Sequence, residues 1–429
     1  MSLFKTSFWM GTTTLIKASL TFVMWKIIAV RVGPAGIALI EQFQNFIQVS
    51  RVSIPAGLNE GVVKYVSEYH DNEIKKSDVL SNVTAMHFVI CVTTLIVITL
   101  FSRDLSYLVF QTVIYQKMII LAGAGIVLFV INNLGLSILN AEMELKKYVI
   151  ATLANTIFNF TLTCYLIMRF GLWGGLIGFA LNQTVIGILT AFLVIRSKFF
   201  KFKLFFSTVN WSCVKKLARY SCIPLSTALI SPIASLLLTK YIVHSLAWTD
   251  AGYWQALMRL SSGYIIIMSM VFGFYFIPKF SSLRTKPELK KEVIKTHYYI
   301  FPLIIFGASL VFILKNPIVT IMYSKAFLPM IPLFKYQLIG DVSRAGTWLL
   351  KNILVAKAMV KTCIALEIVF TLIYIFLTML FVHYDGLIGT AIAFAITYSL
   401  FWITMIVFSA CYLKTNNEAR TYECSTLHG

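Results

Sequence analysis

The stretch TCIALEIVFTLIYIFLTMLFV, residues 362–382, decides the fold of this chain. It is long enough to cross the roughly 30 Å hydrocarbon core of a bilayer as an α-helix, and Glu367 is its one charged residue. Similar apolar runs recur along all 429 residues, of which 59% are hydrophobic and 13% are charged. Soluble domains carry about 25% charged residues. The sequence therefore predicts an all-α polytopic membrane protein.

Twelve apolar segments are long enough to span the membrane. The predicted spans are Phe8–Val30, Ala35–Gly57, Val79–Phe101, Lys117–Leu139, Tyr148–Met168, Trp173–Ile195, Ser221–Val243, Gly252–Phe276, Tyr299–Leu314, Leu333–Val355, Thr362–Val382 and Leu387–Leu413. The second span is interrupted by six polar residues, so we expect that it does not face lipid on all sides. They are Glu41, Gln42, Gln44, Asn45, Gln48 and Arg51.

The distribution of positive charge predicts the orientation of the spans. Most lysines and arginines lie in loops on the same side as the N-terminus, which places both termini in the cytoplasm by the positive-inside rule. The net charge of +20 is spread over these loops and forms no separate basic domain. We therefore expect no binding of nucleic acid.

Short matches recur in the same order in the two halves of the chain. Ile138-Leu139 precedes the fifth span as Ile353-Leu354 precedes the eleventh, and the Gly-Leu-Ile-Gly that begins at Gly175 recurs at Gly386. Because each half has an even number of spans, the sequence predicts two parallel six-helix repeats. The predicted domains are an N-terminal lobe (1–197), a basic cytoplasmic connector (198–219), a C-terminal lobe (220–414) and a cytoplasmic tail (415–429).

Positive charges inside the predicted spans are the main functional signal. A charge at mid-bilayer costs about 2.5–3.5 kcal/mol, so several are tolerated only around water, partners or an ionic ligand. Cations suit an anionic group such as phosphate. The candidate substrate-binding residues are Lys17, Arg51, Arg259, Arg344 and Lys351. Arg51 and Arg259 are each about two turns from a span end, so reaching the membrane surface is an equal alternative for both.

Three acids inside the spans are candidates for proton coupling: Asp341, Glu41 and Glu367. Asp341 is one helical turn from Arg344, so a structural ion pair is an equal alternative. Glu41 and Glu367 could each balance a nearby cation instead. Lys26 and Lys240 lie near the outer ends of their spans, where a long side chain can reach the membrane surface.

Several classes of function are disfavoured by the sequence. It contains no Walker A or HExxH motif and no metal-ligand cluster, so we expect no cofactor and no metal. The predicted outer loops are short, which argues against a membrane-embedded glycan polymerase or ligase. A drug or organic-cation antiporter would prefer acidic residues in its cavity, whereas the charges here are mostly basic.

Five segments in a fixed order carry a resemblance to a known family. They are Gly33–Gly36, Val63–Asn72, Tyr336–Val342, Leu354–Ala358 and Glu367. Through them nearly the whole chain resembles the Wzx-type flippases for undecaprenyl-linked oligosaccharides. These proteins serve the synthesis of O-antigen lipopolysaccharide and of enterobacterial common antigen (lipid III).

This resemblance implies the fold of the multidrug/oligosaccharidyl-lipid/polysaccharide exporters, with two six-helix lobes, a V-shaped cavity and alternating access. It implies a transporter rather than an enzyme, located in the bacterial inner membrane. The implied substrate is an oligosaccharide on undecaprenyl pyrophosphate, moved from the cytoplasmic to the periplasmic leaflet, with proton antiport as a candidate driving force. A glycan polymerase and a chain-length regulator are the candidate protein partners.

Overall fold

The computed structural model of the protein describes residues 3–52, 56–70, 72–182, 184–197, 200–205, 210–283, 285–357 and 359–414. All regular secondary structure in these ranges is helical, as the sequence predicts. The predicted cytoplasmic tail, 415–429, lies outside the described residues.

The helices follow the predicted spans closely. In the first half they are α1 (Leu3–Val52), α2 (Ala56–Glu68), α3 (Glu73–Leu100), α4 (Ser102–Phe110), α5 (Gln116–Ala141), α6 (Leu145–Leu181) and α7 (Thr184–Ile195), followed by a 3₁₀-helix at Phe202–Phe205. In the second half they are α8 (Trp211–Ser245), α9 (Trp248–Ser282), α10 (Lys286–Ile313), α11 (Lys315–Met322), a 3₁₀-helix at Lys325–Leu333, α12 (Phe334–Ala356), α13 (Val360–Asp385) and α14 (Leu387–Lys414).

Eight helical segments in the described ranges are long and apolar enough to cross a membrane. Ile16–Arg51 covers most of the first two predicted spans, and Leu145–Ile195 contains the fifth and sixth. The tenth predicted span coincides with α12, whose composition does not mark it as a span because it carries four charged side chains. These are Lys335, Asp341, Arg344 and Lys351.

Glycines in the left-handed region make sharp turns between successive spans. Gly33 has a φ of 67° and precedes Pro34, and together they divide α1 into two helical segments. Gly171, with a φ of 55°, divides α6 in the same way, and Gly386, with a φ of 59°, separates α13 from α14. Only glycine adopts this conformation without steric cost, so these turns need no longer loop.

The turn glycines also revise the register of the internal repeat. The turn at Gly386 corresponds to the turn at Gly171, four residues before the predicted match at Gly175. With this correction the two turns have the same separation in sequence as Ile138 and Ile353. The repeat is thus visible in the backbone as well as in the sequence.

A short helix follows the third span of each half, which the sequence analysis did not predict. One residue, Phe101, separates α3 from α4, and Leu314 likewise separates α10 from α11. The two linking residues have nearly the same backbone angles, with φ of −97° and −91°. Both short helices fall below the length of a span, so hydropathy alone does not reveal them.

The chain divides into two compact units. Unit 1 comprises Met1–Met258, Lys315–Pro332 and Val382–Leu387, and unit 2 comprises Arg259–Leu314, Leu333–Phe381 and Ile388–Gly429. A core of unit 1 packs Val62 and Val66 of α2 against Val79 and Val83 of α3. In unit 2, Phe370 stacks on Phe401 with 4.2 Å between ring centres. The predicted domain boundaries at 197, 219 and 414 stay a prediction.

Candidate functional site

Asp341 is the most deeply buried of the charged residues proposed from the sequence, with 3% of its surface exposed. It lies on α12 in unit 2, and the Ser261 hydroxyl of α9 donates a hydrogen bond to its Oδ1. The Gln337 amide, one turn earlier on α12, donates a second at 3.4 Å. The positive charge of Arg344 also acts on this carboxylate. Donors from two helices therefore compensate a buried acid, as burial of a charge requires.

Arg344 is held against an aromatic ring. Its guanidinium carbon lies 5.5 Å from the centre of the Tyr398 ring of α14. An aromatic face attracts a cation and fixes the plane of a guanidinium group. Arg344 thus lies one turn from Asp341 on α12 and beside the Tyr398 ring.

Lys351 and Glu367 form an ion pair between α12 and α13. Lys351 Nζ lies 2.6 Å from Glu367 Oε2. The two side chains are 26% and 35% exposed, so the pair is not sealed inside the protein core. The sequence analysis assigned these residues to different roles, and the structure brings them into direct contact. Glu367 therefore balances the charge of Lys351.

Arg51 in unit 1 repeats the combination of a guanidinium group and an aromatic ring. Its guanidinium carbon lies 4.4 Å from the centre of the Phe129 ring of α5. Nη2 donates a hydrogen bond to the Asn182 carbonyl oxygen at 3.2 Å. Among the described residues, the buried Nε has no hydrogen-bond partner. Arg51 thus retains a donor that no described residue uses.

The other candidates differ in their exposure. Lys17 is exposed on α1, and Glu41 on the same helix is 7% exposed. Arg259 is half-buried on α9, two residues before Ser261. Lys17, Glu41 and Arg51 belong to unit 1, and the remaining candidates belong to unit 2. The assignment of these residues to substrate binding or proton coupling stays a prediction.

Several contacts of the candidates were not found from the sequence. They are made by the Ser261 hydroxyl, the Tyr398 and Phe129 rings, and the Asn182 backbone carbonyl. Serine, tyrosine and phenylalanine are common in packed membrane helices, and every residue has a carbonyl, so residue type carries no signal here. The position of Gln337 could have been recognised from the sequence. It lies one turn before Asp341 on the same helix, within a segment that supports the family resemblance.

In the part of the chain that the structure describes, no three His, Cys, Asp or Glu side chains are grouped so that they could hold a metal ion.

Comparison with known proteins supports the family resemblance that the sequence segments indicate. A family model described as polysaccharide biosynthesis protein matches residues 36–332. The chain is 27% identical over 413 residues to the lipid III flippase of Escherichia coli (strain K12), covering 96% of this chain and 97% of the relative. The lipid III flippase of Shigella flexneri matches to the same extent. The resemblance inferred from the five segments is confirmed.

Solved structures show the fold. A multidrug resistance MATE family transporter of the MOP superfamily, in its inward-facing conformation, superposes with a TM-score of 0.76 at 15% identity, over 92% of this chain and 94% of that one. A MOP superfamily transporter from Pyrococcus furiosus superposes with a TM-score of 0.64 at 16% identity, over 95% of each chain. The predicted all-α fold of the exporter superfamily is confirmed.

Proposed function

This chain belongs to the family of polysaccharide biosynthesis proteins, and we propose that it is a flippase for lipid-linked oligosaccharides and not an enzyme. It moves an oligosaccharide on undecaprenyl pyrophosphate from the cytoplasmic to the periplasmic leaflet of the bacterial inner membrane by alternating access. The observation that carries this proposal is the similarity, over nearly the full length of both chains, to two lipid III flippases.

The pyrophosphate group is the part of this substrate that most needs protein contacts. Its negative charges leave water during transfer, whereas the polyprenyl tail can remain in lipid. Arg51 and Arg344 support the proposal, because a guanidinium group can bind two phosphate oxygens at once. Both groups rest against aromatic rings, which fixes their planes before the substrate arrives. Lys17 and Arg259 supply further positive charge, and Lys351 can do so only when it leaves its ion pair with Glu367.

Asp341 is the first candidate for coupling transport to a proton. It is buried and bonded to the Ser261 hydroxyl of another helix, so a change in its charge would alter a contact between α9 and α12. Glu367 is a weaker candidate, because its ion pair with Lys351 already accounts for its charge. Glu41 remains a candidate on account of its burial in α1.

A drug or organic-cation antiporter is the second candidate function, and the fold shared with a multidrug MATE transporter is what favours it. The charges inside the spans oppose it. Five candidate cations face three candidate acids, and one of those acids is paired with a lysine. A cationic substrate would be repelled by this balance, whereas an anionic one would be attracted.

The test is complementation of cells that lack their own lipid III flippase. Expression of this chain should restore surface glycan and clear the lipid-linked oligosaccharide that accumulates in the inner leaflet. A matched Arg344→Glu variant at the same membrane level should restore neither. Purified protein in liposomes should move a fluorescent polyprenyl-pyrophosphate oligosaccharide between leaflets. Cells that regain drug export but not glycan would favour the antiporter.

A glycan polymerase and a chain-length regulator would use the product of this transport on the outer face of the membrane. Their direct contact with this chain is part of the proposal. Recovery of either protein with this chain after cross-linking in membranes would support it.

A further inference from the structure

Unit 1 joins the two halves of the sequence through a set of contacts that begins at Lys26. Lys26 Nζ on α1 donates hydrogen bonds to the carbonyl oxygen of Thr320, at 2.7 Å, and to that of Tyr323. These carbonyls lie at the end of α11, where a helix has unpaired acceptors and a partial negative charge. Lys26 therefore binds the end of α11 by charge as well as by hydrogen bonds.

Tyr323 connects this end of α11 to the start of α9. Its buried hydroxyl donates to the Ala256 carbonyl oxygen at 2.8 Å. One turn earlier on α9, Gly252 lies against Pro34, and a Cβ added at Gly252 would be 2.0 Å from the Pro34 carbonyl oxygen. The break in α1 thus packs directly on the backbone of α9, at a distance that only glycine permits.

Two amide side chains extend the contact along α1. Gln42 Nε2 donates to the Leu236 carbonyl oxygen at 3.1 Å, and Asn45 Nδ2 donates to the Ser235 hydroxyl at 2.9 Å, both on α8. Between Pro34 and Asn45 the helix advances about 16 Å, at ~1.5 Å per residue. The contact therefore reaches through about half of the roughly 30 Å hydrocarbon core.

In the predicted topology these residues lie toward the extracytoplasmic end, because the loops after the first, seventh and ninth spans face outward. We propose that the contacts of Lys26, Pro34, Gln42 and Asn45 form the closed outer gate of the transporter. Lys26 holds α1 to α11 in the closed state and releases it when the protein opens outward. This inference rests on the proposed function, since a gate requires a protein that opens to each side in turn.

The hydrogen bonds of the outer gate are of a kind that can break and re-form during transport. They end on carbonyl or hydroxyl oxygens, and such bonds between helices are individually weak in a bilayer. Water that enters an open gate can replace each of them, so opening leaves no polar group buried without a partner. Gly252 carries no side chain that would interlock with α1.

A disulfide across the outer gate tests whether it must open. In a full-length chain without its native cysteines, Asn45→Cys and Ser235→Cys should cross-link in membrane vesicles, as mass spectrometry of the linked peptides would show. Cross-linking should lower glycan translocation at least tenfold, and reduction should restore it. The control pair Ser235→Cys and Gln255→Cys joins α8 to α9, whose side chains are also in contact, and its cross-link should leave translocation intact.

Either of two results of the disulfide experiment would overturn the proposal of an outer gate. Either the Asn45–Ser235 cross-link does not form, or the fully cross-linked protein translocates glycan at the rate of the reduced protein. Failure of the proposed function is distinguishable from both, because the unmodified chain would then translocate no glycan at all.

A labelling experiment tests the outer gate without any substrate. A cysteine at Gln48, exposed on α1 just beyond Asn45, reports access from outside to an impermeant maleimide in right-side-out vesicles. Gly252→Ala should raise its labelling rate severalfold, whereas Gly263→Ala, on the same helix with nothing within 4 Å of an added Cβ, should not. Lys26→Met should act like Gly252→Ala, and Lys240→Met should not. Equal labelling in all four variants overturns the outer gate.

Discussion

Lys351 Nζ and Glu367 Oε2 are 2.6 Å apart, so one ion pair joins α12 to α13 in the part of unit 2 that is predicted to lie in the bilayer. Each residue would be costly there alone. Because both side chains are partly exposed, water screens their attraction and limits the contribution of the pair to stability.

The ion pair predicts a rescue by charge exchange. Lys351→Ala or Glu367→Ala should each lower the free energy of unfolding by about 1 kcal/mol, since each leaves a charge without its partner. The exchange Lys351→Glu with Glu367→Lys should recover most of this loss. Thermal unfolding in detergent, followed by size-exclusion chromatography, measures it. Lys361→Ala, on the exposed surface of α13, is the control and should have no effect.

Positive charge within the spans should be needed for transport and not for insertion. Lys17→Ala and Arg344→Ala should lower surface glycan, because an exposed or half-buried cation at mid-span is costly unless it is used. The amount of protein in the membrane should stay the same. Normal glycan display from both variants would contradict a role in substrate binding.

The chemistry of Arg344 can be separated from its structural role. Arg344→Lys should retain part of the activity, because lysine keeps the charge but loses the planar pair of donors, and Arg344→Glu should abolish it. If Arg344 merely pairs with Asp341, the exchange Asp341→Arg with Arg344→Asp should restore what either change removes. We expect no rescue. The assay compares lipid-linked oligosaccharide in the inner leaflet with glycan on the cell surface.

Ser261 should matter through the carboxylate that it contacts. Ser261→Ala removes a hydrogen bond to Asp341, and bonds to charged groups contribute about 1.5–3 kcal/mol. We expect lower thermal stability and slower transport. Asp341→Asn should make the protein much less sensitive to Ser261→Ala, because the charge is then absent. Ser262→Ala, one residue further along α9, is the control, and an equal effect of both serine changes would contradict the prediction.

The predicted orientation can be tested with reporter fusions. A fusion at Thr415 and one within Lys198–Lys203 should report the cytoplasm, whereas one at Tyr107 on the exposed surface of α4 should report the periplasm. The even number of predicted spans in each half requires the first two reporters to lie on the same side of the membrane. A periplasmic signal from the Lys198–Lys203 fusion would be incompatible with twelve spans and with the parallel repeat.

Apolar runs were enough to predict the helices that cross the membrane. The eleventh span was predicted at Thr362–Val382, and α13 extends over Val360–Asp385. Hydropathy missed α4 and α11, because both are short and carry polar residues on one face. The turn before the sixth span lies at Gly171, within the gap that the predicted spans leave at residues 169–172.

The contacts of the candidate residues were harder to predict than the helices, because most of these contacts join different helices. The spacing in the sequence placed Asp341 one turn from Arg344, but nothing in the sequence fixes the rotation of α13 that brings Glu367 to Lys351. The same holds for Tyr398 beside Arg344. The types of charge in the membrane could be predicted from the sequence, whereas their partners depend on tertiary packing.

The glycine turns have a consequence for biosynthesis. At Gly386 a single residue separates α13 from α14, and at Gly33 and Gly171 the helical segments follow each other without a loop. Each pair of segments has no solvated linker in which a ribosome–translocon complex could pause between them. Such pairs should enter the bilayer together as hairpins, so a tag inserted at Gly386 should impair co-translational insertion of both spans.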